Sequence, residues 1–367
     1  MADEQSSSKP WEAVVDEVDY LDRDDAIRLI EWLAERGAAD EELAEAARTG
    51  TLGPLALELA VRPPGERLPF DEAVRQAGLD VEEAARLWRA LGFTDPLDPP
   101  LRVTAGEVET LQKLISNSRA MLGPDAGQPL ARVIGSTMTQ LADAIVDTFR
   151  VQVEIPRRGR GEPYSHVVED YARAGAVVIP ELAAAVGDVL VGHILAASRA
   201  NWVPDEQRSA VTRDLTVGFA DVVDYTRSAR ALTPAELAAA IGRFESRVGE
   251  LVGRHRGRVV KLIGDEVMFV TEDPGAAARL ALAIIAELRT DPQMPQVRIG
   301  LAAGPVVTLQ GDYYGDVVNL AARLVKAAEP GGALVSESVA QHASAQLVEL
   351  PPLKGFDAEV AAYRLTG

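Results

Sequence analysis

At 367 residues the chain is long enough for two domains, and its 47% hydrophobic and 25% charged content suits a soluble globular protein with a sizeable core in each half. A formal net charge of -19 argues against the broad electropositive face that grips a phosphate backbone, so long nucleic acid is not an expected partner. There is no cysteine, which removes disulfides, thiolate zinc sites and cysteine nucleophiles together.

The opening segment is acidic and polar where a signal peptide would be basic and then apolar, which points to a cytoplasmic protein. From about residue 11 to 200 the pattern is helical. In DDAIRLIEWLAERG, 24–37, Ile27, Ile30 and Leu33 recur three apart and Gly37 supplies a stop. RPPGERLP (62–69) and FTDPLDPPL (93–101) read as turns, and RRGRGE (157–162) as a basic, flexible connector. FDEAVRQAGLDVEEAARLWRALG could be drawn as a helix-turn-helix, but the three acids of DVEE would meet phosphates with the wrong sign. The apolar segment 174–197 is interrupted by Pro180, Glu181, Asp188 and His193. It is expected to form a buried or interfacial helix, with no stable membrane insertion.

The polar segment 201–214 precedes a change of pattern and marks the domain boundary: an all-α domain over 1–205, a coupling linker over about 186–213 and a second domain over 206–367. In the second domain DLTVGFA, a helix from Thr233, a hairpin over 259–270, a helix from Pro274 and the strand QVRIGLAAG follow in β-α-β-β-α-β order, the ferredoxin-like α+β plan. Thr233 is the expected N-cap, with Pro234 first in the helix and Glu236 closing a capping box. Gly264 and Asp265 form the hairpin tip, and Asp221 ends the strand LTVGFA. Two acids at one end of a sheet suggest two-metal phosphate chemistry.

FADVVDYT, VVKLIGDEVMF, VRIGLAAGPV and GDYYGDVVNLAARL, taken in order, resemble the signature of the class III adenylyl cyclase catalytic domain over roughly 209–367. The resemblance implies that Asp221 and Asp265 hold two Mg²⁺ or Mn²⁺ ions per site. Such ions lower the pKa of the ribose 3′-hydroxyl and neutralise the triphosphate. Lys261 and Asp312 would read adenine: an ammonium donates to a ring nitrogen and a carboxylate accepts from the exocyclic amine, which favours ATP over GTP. In the family the adenine-reading acid lies seven residues before an asparagine, as Asp312 does before Asn319. Asn319 and Arg323, one helical turn apart, would position the ribose and stabilise charge on the pentavalent phosphorus. Lys354, in PPLKGFD, resembles the lysine that reaches the triphosphate from a late loop. The chain departs from the family at Asp224 and Tyr225, where a glycine and an aromatic residue are usual; the extra carboxylate bears on metal preference and rate.

The family divides each site between two copies of the domain, and this chain carries both residue sets, so the resemblance implies a homodimer with two equivalent sites. The first half resembles the helical regulatory domain of actinobacterial, mycobacterial-type cyclases, which implies dimerisation and control by a proton or lipid effector. His166 and His193 are the histidines available there for a proton response. The expectation is an adenylate cyclase that forms 3′,5′-cyclic AMP and pyrophosphate. The alternatives are a guanylate or diguanylate cyclase, whose hairpin also shows Gly-Asp-Glu, or a DNA-binding regulator with a cyclase-like domain.

Overall fold

The fold is that of a computed structural model, which describes residues 12–63, 65–123, 127–201, 212–223, 232–291, 294, 296–356 and 360–366. The chain divides into two compact units, Met1–Val203 and Pro204–Gly367. Residues 202–211 of the expected linker, and the departures at Asp224 and Tyr225, lie outside the described residues.

The first unit runs α1 (Glu12–Val15), α2 (Arg23–Glu35), α3 (Asp40–Thr49), α4 (Leu52–Val61), β1 (Arg67–Pro69), α5 (Phe70–Gln76), α6 (Val81–Ala90), β2 (Arg102–Thr104), α7 (Ala105–Leu122), α8 (Gly127–Phe149), α9 (Ile155–Gly159) and α10 (Tyr164–Asn201). The helix expected from residue 24 forms as α2. Asp22 caps it by accepting from Asp25 N at 3.0 Å, and Leu29, Ile30 and Leu33 bury its apolar stripe against Leu43 and Leu52. A second cluster gathers Phe70, Val74, Ala84 and Val103.

Helices dominate this unit as expected, and one short antiparallel ribbon is added, in which β1 and β2 pair with Leu68 opposite Val103. The ribbon grows from the proline-rich punctuation, since a residue before proline, such as Leu68 before Pro69, is pushed into extended conformation. The 157–162 segment is not a flexible connector: a π-turn over Arg150–Glu154 leads into α9, and Arg157 pairs with Glu162 and with Asp170 at 2.8 Å. The 174–197 segment, expected to form a buried or interfacial helix, is helical and is not buried within its own unit. It belongs to α10, which runs through Pro180 and leaves Val177, Val189, Leu190 and Ile194 exposed. Among the described residues, Tyr164–Arg199 is the one helix long and apolar enough to cross a membrane by length and composition.

The start of α10 is fixed from a distance. The buried Asp25 carboxylate accepts from Tyr164 N at 2.8 Å and Ser165 N at 3.0 Å, satisfying orphan donors of the helix N-terminus. Buried Glu169 then takes Arg28 at 3.0 Å and Arg173 at 2.8 Å.

The second unit holds β3 (Thr212–Val222), α11 (Pro234–Arg254), β4 (Arg258–Ile263), β5 (Glu266–Thr271), α12 (Pro274–Thr290), β6 (Val297–Leu309), β7 (Asp312–Tyr314), α13 (Asp316–Ala327), β8 (Ala333–Ser336), α14 (Glu337–Ala340), β9 (Ala345–Val348) and β10 (Ala362–Leu365). This is the expected β-α-β-β-α-β order. The sheet order β4-β5-β3-β6-β8-β10-β9 is ferredoxin-like in its first four strands, with β8 parallel to β6 and β7 paired to the far end of β6. The Thr233–Glu236 capping box opens α11, with Pro234 in the first turn.

The two-residue period of the strands divides the core between two layers. Ala220, Val267, Phe269, Ile299 and Leu301 face α11 and α12. Leu215, Val217, Phe219, Met268 and Ala302 face α13. At Gly300 the α13 backbone lies directly on β6: a Cβ there would collide with Val325 N and Ala321 O. The register then carries charge onto the α13 side at one end of the sheet, since Asp221 follows Phe219 by two residues and pairs across with Glu266 on β5 and Arg298 on β6.

Candidate active site

Asp221 is 3% exposed, and its carboxylate is held by cations from two elements. Arg298 donates from Nε at 2.7 Å and approaches from Nη2 at 2.6 Å, and Lys326 Nζ lies at 3.2 Å; all three contacts fall on Oδ2. Lys326 also reaches Glu266 Oε2 at 3.2 Å. Burial pushes the Glu266 carboxyl up, Lys326 opposes the shift, and the neighbouring Asp221 and Asp265 charges add to it. Asp265 sits in the turn after Gly264, whose φ of +64° is the left-handed conformation that glycine adopts without strain. Its carbonyl accepts from Val222 N at 3.2 Å, which ties the hairpin tip to the end of β3.

The two predicted metal carboxylates are thus delivered by neighbouring strand ends. Among the described residues no group of three or more His, Cys, Asp or Glu is arranged to hold an ion. A pair is the donor set that suits Mg²⁺ or Mn²⁺ at a nucleotide site, because such ions take one or two carboxylates and complete their shell with phosphate oxygens and water.

Lys261 projects from β4 and Asp312 begins β7, and their side chains meet at 2.5 Å. A bulge in β4 between Val259 and Lys261 sets that strand's local register. Asp312 Oδ1 accepts from Tyr313 N at 2.8 Å, so the carboxylate is oriented from its other oxygen. Asn319 and Arg323 stand exposed on α13. Arg323 Nε donates to the Lys354 carbonyl at 3.1 Å, which draws the late loop to the helix. Among the contacts of the described residues, none joins Asn319 or Arg323 directly to Asp221 or Asp265.

Arg298, Lys326 and Glu266 are functional candidates that the motifs do not assign. Each left a signal in the sequence. Arg298 is a lone charge in the apolar strand VRIGLAAG, Glu266 follows the metal-type aspartate directly, and Lys326 falls seven residues after Asn319 and three after Arg323 on one helix face.

The chain thus presents a carboxylate pair at neighbouring strand ends, a lysine–aspartate pair and an exposed Asn/Arg helix face. Comparison with known proteins supplies the family. Residues 208–359 match the adenylate and guanylate cyclase catalytic domain. An uncharacterized protein of Mycobacterium tuberculosis is 33% identical over 351 residues, spanning 92% of this chain and 89% of its own length. An adenylate cyclase of Streptomyces coelicolor is 35% identical over 277 residues, 74% of this chain and 70% of its own. A pH-sensitive adenylate cyclase of M. tuberculosis is 27% identical over 351 residues, 93% of this chain and 85% of its own. The chain belongs to the class III adenylate and guanylate cyclase family.

Proposed function

We propose that the chain is an adenylate cyclase converting ATP to 3′,5′-cyclic AMP and pyrophosphate in a homodimer, with the helical unit setting its output. The observation that carries the choice of base is the contact of Lys261 Nζ with Asp312 Oδ2 at 2.5 Å. Such a pair offers a donor and an acceptor side by side, as the adenine edge requires. Guanine presents a carbonyl and a ring N–H there and would meet both with the wrong partner.

Divalent ions held by Asp221 and Asp265 would supply Lewis acidity at the 3′-hydroxyl and the triphosphate. Asn319 orients the ribose. Arg323 offers a rigid fork of donors to charge gathering on the phosphoryl oxygens, and Lys354 adds a cation at the triphosphate. The exposure of Asn319 and Arg323 on α13 supports a site completed by a second copy. The exposed aliphatic residues of α10 support dimerisation of the helical unit as well. Glu181 and Asp188 within α10 favour a cytoplasmic protein paired through this helix over one inserted in a bilayer. The pH-sensitive relative makes a proton the first effector to examine for the helical unit, followed by a lipid.

Purified protein with Mn²⁺ is offered ATP or GTP and the products are separated chromatographically. Cyclic AMP at roughly ten times the rate of cyclic GMP or more supports the reading. Preferred cyclisation of GTP, or a dinucleotide product, overturns it. Equal rates for the full chain and for residues 205–367 would remove the regulatory part of the proposal.

A further inference from the structure

The Lys326 ammonium bridges a carboxylate assigned to metal binding and its neighbour, at 3.2 Å from Asp221 Oδ2 and 3.2 Å from Glu266 Oε2. We propose that Lys326 is a built-in competitor for the divalent-ion site, a positioning residue whose charge must leave the Asp221 and Glu266 oxygens when a metal ion binds and which therefore sets the enzyme's metal affinity. The proposal rests on the assignment of Asp221 and Asp265 as metal carboxylates.

Three lines of geometry favour a displaceable lysine over a permanent strut. The first is charge. Asp221 takes both Arg298 and Lys326, Glu266 shares Lys326, and the Asp265 charge adjoins Glu266, so the two cations already balance the two carboxylates they touch. Adding a doubly charged ion while both cations stay would place like charges on the same oxygens, and expelling one ammonium relieves that.

The second is the contrast between the two cations. Arg298 approaches Asp221 through two nitrogens and also donates from Nη1 to the Lys326 carbonyl at 3.4 Å, so it is fastened to strand and helix together. Its side chain is 29% exposed. The Lys326 side chain is 48% exposed, and its four-carbon stem can rotate the ammonium into water at little cost. The third is the anchor. Lys326 stands in the last turn of α13, where the helix dipole favours a cation, so the charge stays close after displacement. The same helix carries Asn319 and Arg323, so the lysine is mounted on the element that bears the transition-state residues.

The test measures Mn²⁺ binding to the full-length protein without nucleotide, by the electron paramagnetic resonance signal of free Mn²⁺. Lys326→Gln and Lys326→Met should tighten binding by roughly threefold to tenfold, the worth of a partly screened charge pair. Lys326→Arg should not tighten it, and Asp265→Asn should weaken it. If both neutral variants bind Mn²⁺ as the parent does or more weakly while Asp265→Asn still loses affinity, the competitor role is overturned and the metal assignment stands. If Asp265→Asn binds like the parent, the metal assignment itself fails. Thermal unfolding of each variant is followed in parallel. A role confined to packing would lower the transition temperature of both neutral variants without tightening Mn²⁺ binding, and that result also overturns the proposal.

Discussion

Both units of this chain bury carboxylates, Asp25 and Glu169 in the helical unit and Asp221 in the cyclase unit, but they use the rest of their exceptional residues differently. The cyclase unit draws charge inward, with Asp221 buried at a strand end against Arg298 and Lys326. The helical unit sends apolar surface outward, with Val189, Leu190 and Ile194 of α10 each more than half exposed. Buried charge persists only where packing and hydrogen bonds hold it, and chemistry is the usual reason to keep it. Exposed aliphatic surface persists where something covers it.

Substitutions can break that contrast or sharpen it, beginning with the largest effect. Asp265→Ala removes a turn carboxylate with little packing to lose. Cyclic AMP formation should fall about a thousandfold or more while thermal unfolding stays near the parent, and a retained rate would refute the metal pair. Arg323→Ala should lower kcat roughly a hundredfold and move the KM for ATP far less, measured as initial rates across ATP concentrations. Asp312→Ala should cut the preference for ATP over GTP by roughly tenfold, read as a ratio of kcat/KM values.

In the helical unit, Leu190→Glu combined with Ile194→Glu should weaken self-association in sedimentation velocity. The monomer's unfolding free energy should move by less than about 0.5 kcal/mol per site, because both side chains are already exposed. The smallest effect is acid loss of stability at Glu42. Burial alone raises this carboxyl, but its bond from Ala39 N and its pairs with Arg62 and Arg67 outweigh burial and hold it below the ordinary glutamate value of 4.5. A depressed carboxylate stabilises fully above 4.5 and loses that contribution as pH falls through its folded value. Glu42→Gln should therefore flatten the acid limb of the unfolding curve by under about 1 kcal/mol.

Much of the cyclase unit was legible in the sequence because its chemistry lies at positions that local rules describe. Gly264 permits the turn that presents Asp265, Thr233 and Glu236 announce a helix start, and the i, i+4 spacing puts Asn319 and Arg323 on one face. The meeting of Lys261 with Asp312 spans 51 positions and depends on β4, β6 and β7 assembling, which no local pattern encodes. Arg298 and Lys326 escaped for the same reason. A lone arginine in an apolar strand and a lysine ending a helix acquire meaning only when the register sets them both on Asp221. In the helical unit, α2 followed from its period, whereas the hold of Asp25 on the start of α10 spans about 140 positions and left no mark in either segment. The apolar stretch of α10 was expected to be buried or interfacial without a choice between them, because composition reports hydrophobicity but not which surface receives it.

With only a hydrogen atom between β6 and α13 at Gly300, the spacing of strand and helix equals the thickness of two main chains. No choice of larger or smaller core side chain can tune it. Any bulkier residue at 300 would act as a wedge, tilting Asn319, Arg323 and Lys326 together by one displacement. The ruler of this site is a residue that takes no part in the chemistry.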